Sequence, residues 1–102
     1  MIEYIPLTDE EKQMEVQDYI RHIVLAAEKN IPIQENDLVL LHIPVKFWDA
    51  AAVLFGREDI ISDLELDNFS GTYNNITFLA IQNHQGDNEF SYMISRNIFK
   101  NK

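Results

Sequence analysis

Two hydrophobic periods divide this chain. Between Thr8 and Lys29 the apolar residues Val16, Tyr19, Ile20, Ile23, Val24 and Ala27 recur at three- and four-residue spacing, which is the period of one helix face. Thr8 with Glu11 makes a capping box, and Asp9, Glu10 and Glu11 place negative charge at the positive end of a helix dipole. The spacing predicts a helix from Asp9 to Lys29, with Lys12, Glu15, Asp18, Arg21, His22 and Glu28 on its wet face. Pro32 prevents continuation, so Asn30 to Asp37 reads as a loop.

The central stretch, Asp37 to Ile61, is the most apolar part of the chain. Leu38 to Ile43 suits a short strand covered on both faces. Pro44 then changes the period, because proline fits the first turn of a helix, where its missing N–H costs nothing. Val45 to Phe55 reads as that helix, driven by Ala50, Ala51 and Ala52 and stopped by Gly56. Only Lys46 and Asp49 are polar on it, so it belongs in the core. The competing reading makes Trp48 the edge of an exposed apolar patch.

Period-two patterning dominates the C-terminal third. Ile76 to Gln82 is β-branched and aromatic, and Phe90, Tyr92 and Ile94 alternate with Ser91, Met93 and Ser95. These two strands are expected to pair as a C-terminal β-hairpin across His84 to Asn88, with Phe90, Tyr92 and Ile94 facing the helices. Thr77, Leu79 and Ile81 then form a second apolar face that needs cover from another chain. Met1 to Leu7 reads as a short edge strand. Ile61, Leu64 and Leu66 fit either a ragged strand or a short helical turn, and Asp67 to Asn75 is rich in turn-formers. The expected fold class is α+β: two helices packed on a small, mainly antiparallel sheet with a C-terminal β-hairpin.

The length of 102 residues implies a single domain, residues 1–102, large enough to hold a core without staples. Absence of cysteine removes disulfides and thiolate chemistry together. No segment reads as a signal peptide or a membrane span, so a cytoplasmic location is expected. The sequons at Asn68 and Asn75 are read as chance without a secretion signal.

Charge changes the picture most. Seventeen acids against eight bases give a formal charge of −9. Direct nucleic-acid binding and anionic membranes are disfavoured, since both need clustered Lys and Arg. A partner with a basic surface is favoured. Glu58, Asp59, Asp63, Glu65 and Asp67 crowd one short segment balanced only by Arg57, whereas Arg96, Lys100 and Lys102 make a mildly basic end.

Candidate chemistry is sparse. His22, His42 and His84 are far apart, with His42 expected as a core histidine, and no HExxH spacing occurs. Glu15, Asp18 and His22 stack on the first helix but lack a second ligand pair, so they read as a solvated face rather than a metal site. The serines lack a nucleophile-elbow context, and no glycine-rich loop cradles phosphate. No enzyme, metal or cofactor is expected.

The function expected is therefore that of a small, acidic, non-enzymatic binding protein. It inhibits or neutralises a larger nucleic-acid-handling protein, in the manner of phage or mobile-element inhibitors and of immunity proteins. The partner-binding residues are Glu58, Asp59, Asp63, Glu65, Asp67 and Leu79. The alternative is an accessory or oligomeric structural subunit, including a homodimer, that uses a Trp48-centred interface.

Overall fold

The computed structural model describes residues 7–63, 65–83 and 89–96. Helix α1 spans Asp9–Glu28 and opens with the capping box. The Thr8 N–H donates to Glu11 Oε1 at 2.9 Å, and the Glu11 N–H donates to Thr8 Oγ1 at 3.1 Å. Val16, Ile20, Ile23 and Ala27 form its buried face.

Strand β1 (Leu38–Pro44) follows, and Pro44 ends it. A 3₁₀ turn, Val45–Phe47, leads into helix α2 (Trp48–Leu54). The helix stops where glycine was placed by the sequence. Gly56 has φ +72, its N–H donates to the Val53 carbonyl at 3.1 Å, and the Arg57 N–H reaches the Ala52 carbonyl at 2.7 Å. This is a Schellman closure. Trp48, Ala50, Ala51 and Ala52 are buried, as expected of a core helix.

The sheet contains β1, β2 (Asn68–Tyr73), β3 (Ile76–Asn83) and β4 (Ser91–Ser95) in the order β2-β3-β1-β4. β1 runs parallel to β3, with Leu40 opposite Leu79, and antiparallel to β4, with Leu40 opposite Met93. β2 runs antiparallel to β3, with Ser70 opposite Leu79. Two helices on a mixed sheet make an α+β fold.

Three sequence readings need correction. The C-terminal hairpin is not formed, because β1 lies between β3 and β4. Crossing one intervening strand spans only about 10 Å, which a short connection covers easily. Residues 84–88 of the expected turn lie outside the described residues. The hairpin that does exist joins β2 to β3 through Asn74 (φ 51) and Asn75 (φ 66). Positive φ at both central residues is the condition for a type I′ turn, and asparagine tolerates it better than most residues. The turn-rich stretch thus contains a strand. Finally, β1 is buried on one face only: Val39, Leu41 and Ile43 are fully covered, whereas Leu38, Leu40 and His42 are half-buried.

Both helices pack on the same sheet face. Val39, Leu41, Ile43, Phe69, Phe78 and Ala80 meet Val16, Ile20, Ile23, Trp48, Ala51 and Ala52 in one buried cluster. Tyr92 and Ile94 pack against this cluster, and Phe90 stacks on Tyr19 with centroids 4.9 Å apart, while Ser91 and Ser95 stay exposed. That orientation of the last strand agrees with its alternation. Trp48 is buried in this cluster, with its ring edge-on to Phe69 of β2 at 5.0 Å, and is not the edge of an exposed patch.

Gly71 permits the C-terminal end of α2 to approach β2. A Cβ there lies 3.0 Å from Phe55 Cβ and 3.4 Å from the Phe55 carbonyl oxygen. Gly71→Val is expected to cost about 1–3 kcal/mol, the range for overpacking a tight contact. A urea midpoint equal to wild type contradicts that close approach.

Candidate protein-interaction surface

The acidic segment is the connection from α2 to β2. It begins at the Schellman turn and is pinned by Ile60, which is buried. A 3₁₀ turn, Glu58–Ile60, is followed by further tight turns, with Asp63 N–H to Ile60 carbonyl at 3.1 Å and Leu66 N–H to Asp63 carbonyl at 3.2 Å. Of the two readings for this stretch, the helical turn is the one observed. Ile61 and Leu66 are half-buried, and Leu64 lies outside the described residues. The far end is stapled to the sheet, because the Gln82 N–H donates to the Asp67 carbonyl at 2.8 Å.

Turning this way, the connection directs Glu58, Asp59, Asp63, Glu65 and Asp67 into solvent, and all five are exposed. Arg57 is committed locally. Its Nε and Nη2 donate to the two Asp59 carboxylate oxygens at 3.0 and 3.1 Å, and its Nη1 donates to the Ser70 carbonyl at 2.6 Å. The hydrogen-bonded Arg57 guanidinium holds the Asp59 carboxyl below its ordinary range. Asp67 Oδ1 accepts from the Asn68 side-chain amide at 2.9 Å, and Asp63 Oδ1 accepts from the Glu65 N–H at 3.2 Å.

Leu79 occupies a different surface. It lies on the sheet face turned away from the helices, where pairing places Met93, Leu40, Leu79 and Ser70 in one cross-strand row. The adjacent row is Ser91, His42, Ile81 and Asn68. His42 is therefore on this open face, half-buried, and not in the core as its apolar neighbours suggested. Met93 is 63% exposed. The twelve residues at these positions and in the row Ser95, Leu38, Thr77 and Thr72 carry no Asp, Glu, Lys or Arg.

The acids and Leu79 are thus brought to adjoining surfaces rather than to one patch. Asp67 precedes Asn68, whose row on the open face neighbours that of Leu79. Asp59 is bound to Arg57, which lies over the Phe69 ring at 5.9 Å on the helix-facing side. Ile81 shares the face of Leu79 as expected, whereas Leu38, Leu40 and Met93 are the face residues that sequence reasoning missed. Their alternation was visible, but which of them share a face with Leu79 depends on strand order.

The mildly basic end is also changed by folding. Arg96 donates to Asp37 Oδ2 at 2.6 Å and to the carbonyls of Ile31 and Pro32. Lys100 and Lys102 lie outside the described residues, as does His84. On α1, Asp18 pairs with Arg21 at 3.5 Å, and Glu15 and His22 are exposed. Among the described residues no three His, Cys, Asp or Glu side chains are grouped to hold a metal ion, and no helix is long and apolar enough to cross a membrane.

No protein-family model, no curated protein and no solved structure matches this chain. The candidate surface therefore rests on its own geometry. Its acidic connection presents fixed negative charge from an anchored backbone, and its sheet face presents uncharged apolar side chains beside it.

Proposed function

We propose that this chain is a small non-enzymatic binding protein that docks a basic surface of a larger protein through the acidic α2–β2 connection. The supporting observation is that Glu58, Asp59, Asp63, Glu65 and Asp67 are all exposed on a connection tied down by Ile60 and by the Asp67–Gln82 hydrogen bond. Charges held on an ordered backbone lose little conformational freedom on binding, and they steer a cationic partner during encounter. Basic surfaces of this kind are typical of nucleic-acid channels, so an inhibitor of a nucleic-acid-handling protein is the fitting class. A cytoplasmic location and an origin in a phage or mobile element go with this reading. Leu79 and its neighbours on the open face supply apolar contact next to the acidic rim.

A second reading, an accessory subunit with an apolar interface, is favoured by that same open face. Trp48 does not serve it, because its side chain is buried.

Replacing all five acids by Asn or Gln tests the first reading. Like charges so close repel, so the melting temperature is expected to stay within a few degrees of wild type or rise slightly. Proteins retained by wild type at low salt are expected to be lost with the substituted chain and released as salt rises. A partner retained equally by both chains removes the acidic docking surface. A partner lost only with Leu79→Lys, and insensitive to salt, supports the subunit reading instead.

A further inference from the structure

The acidic connection also forms one wall of a cleft against helix α2. The helix contributes Trp48 and Asp49, the turn before it contributes Val45, and the connection contributes Ile60, Ile61, Asp63 and Leu66. Together they line a space of about 200 Å³. Trp48 and Ile60 are buried, Ile61 and Leu66 are half-buried, and Val45 is exposed, so most of the lining is apolar. Asp49 and Asp63 are exposed and bring carboxylates to the same cleft from two different elements. The Asp63 N–H donates to the Ile60 carbonyl at 3.1 Å, and its Oδ1 accepts from the Glu65 N–H at 3.2 Å, which orders that carboxylate.

Apolar walls with carboxylates beside them suit an amphipathic cation. An inorganic cation makes no use of the walls, an apolar group makes no use of the carboxylates, and an anion is repelled. A long aliphatic stem ending in positive charge satisfies both, because such side chains lay their methylenes on apolar surface and keep the charged head in water. Arginine fits better than lysine. Its planar guanidinium pairs with a carboxylate through two parallel hydrogen bonds, is weakly hydrated and stacks on aromatic rings, whereas an ammonium is compact and strongly hydrated. This chain carries the same combination within itself: Arg57 donates through Nε and Nη2 to both Asp59 carboxylate oxygens, and its Cζ lies 5.9 Å over the Phe69 ring. A neighbouring cleft of about 300 Å³ shares Val45, Asp49 and Ile61 but carries Lys12 and Lys46 beside Asp9. Those ammonium groups repel a cation there and direct it to the Asp63 side of Asp49.

We propose that this cleft is the anchor point of the docking surface: an arginine side chain of the partner protein lays its methylenes against Trp48, Ile61 and Leu66 and sets its guanidinium against Asp49 and Asp63. The inference rests on the acidic docking reading and adds to it Asp49 and Trp48, which that reading does not include. Arginine and tryptophan contacts in desolvated pockets are where binding energy concentrates in protein interfaces, while exposed charges around them act mainly on the rate of encounter. One arginine side chain alone is expected to bind weakly, with a Kd on the order of 1–10 mM.

Titrating isotope-labelled wild type with Nα-acetyl-arginine amide to roughly 50 mM at constant ionic strength reads this at the indole N–H resonance of Trp48. A saturable shift is expected. Nα-acetyl-citrulline amide, which keeps the length and shape without the charge, is expected to produce little shift, and Nα-acetyl-lysine amide to bind about threefold more weakly than the arginine probe. Asp49→Asn and Asp63→Asn are each expected to weaken the arginine probe by about fivefold to tenfold. Asp18→Asn, which removes an exposed acid on α1 away from the cleft, is expected to leave its binding unchanged. The comparison of arginine with citrulline is made on wild type and depends on no variant folding. Shifts that grow without saturation overturn the proposal, as does a citrulline or lysine probe that binds as tightly as arginine, or Asp49→Asn that binds as wild type does. Asp18→Asn that loses as much as Asp49→Asn overturns it in favour of diffuse attraction by net charge. The underlying docking reading fails separately. Protein capture lost with the five-acid chain, while wild type gives no saturable shift, keeps that reading and overturns the cleft. Capture unaffected by the five-acid replacement, with saturable probe binding that requires Asp49, removes that reading and supports the cleft.

Discussion

Arg96→Ala is expected to lower the unfolding free energy by about 3–5 kcal/mol, the range for breaking a buried ion pair by removing one partner. Asp37 is only 6% exposed, and its Oδ2 accepts from both Arg96 Nη1 at 2.6 Å and the Gln34 N–H at 2.8 Å. Without the guanidinium, a buried carboxylate keeps its desolvation penalty and loses a charged hydrogen-bond donor. The same substitution releases the Ile31 and Pro32 carbonyls, so the loop between α1 and β1 is no longer tied to the end of β4. Asp37→Asn is expected to cost less, about 1–2 kcal/mol, because the partly exposed Arg96 regains water while the amide oxygen can still accept. For a chain of this size Arg96→Ala lowers the melting temperature by more than ~10 °C. Urea denaturation of both single variants and the double variant measures the coupling. A loss under about 1 kcal/mol for Arg96→Ala contradicts the pair as described.

Trp48→Ala is expected to cost about 3–5 kcal/mol, close to the lower end of the whole stability of a small domain. Trp48 is 6% exposed, sits edge-on to Phe69 at 5.0 Å and belongs to the buried cluster between helices and sheet. Its removal leaves a cavity that the rigid sheet beneath can fill only in part. Trp48→Phe, which keeps an aromatic ring at the site, is expected to cost less than half as much. Because Trp48 is the sole tryptophan, the emission spectrum reports on it alone and is expected to be blue-shifted from free indole. Emission at the wavelength of fully hydrated indole contradicts the burial and restores Trp48 as a surface group.

These variants test what folding added to the sequence. Helix α1 was legible because every signal for it is local: cap, charged first turn and apolar stripe lie within the same twenty residues. The stop at Gly56 was legible for the same reason, since a left-handed residue closes the hydrogen bonds of the turn before it. The inward set Phe90, Tyr92 and Ile94 was fixed by the two-residue period, which holds whichever strand is the neighbour. Exposure of the five acids followed from the cost of burying charge.

Strand order was not legible. Period-two patterning states which side chains share a face of one strand but not which strand lies beside it, so β4 could satisfy its pattern equally against β3 or β1. Only the folded chain, in which the Asn74–Asn75 turn gives β3 its antiparallel partner and β1 takes the centre, decides this. The consequences are all non-local. They include the apolar row from Met93 through Leu40 to Leu79, the clamp of Arg57 on β2, and the ion pair that joins Arg96 to Asp37 across fifty-nine positions. The sequence by itself determined helix α1, the stop of α2 at Gly56, the strand character of β3 and β4, the inward set of β4 and the exposed acids, because each depends on neighbours along the chain. The tertiary structure alone decided which strands are neighbours and which charges are paired, because those depend on residues that meet only once β1 lies between β3 and β4.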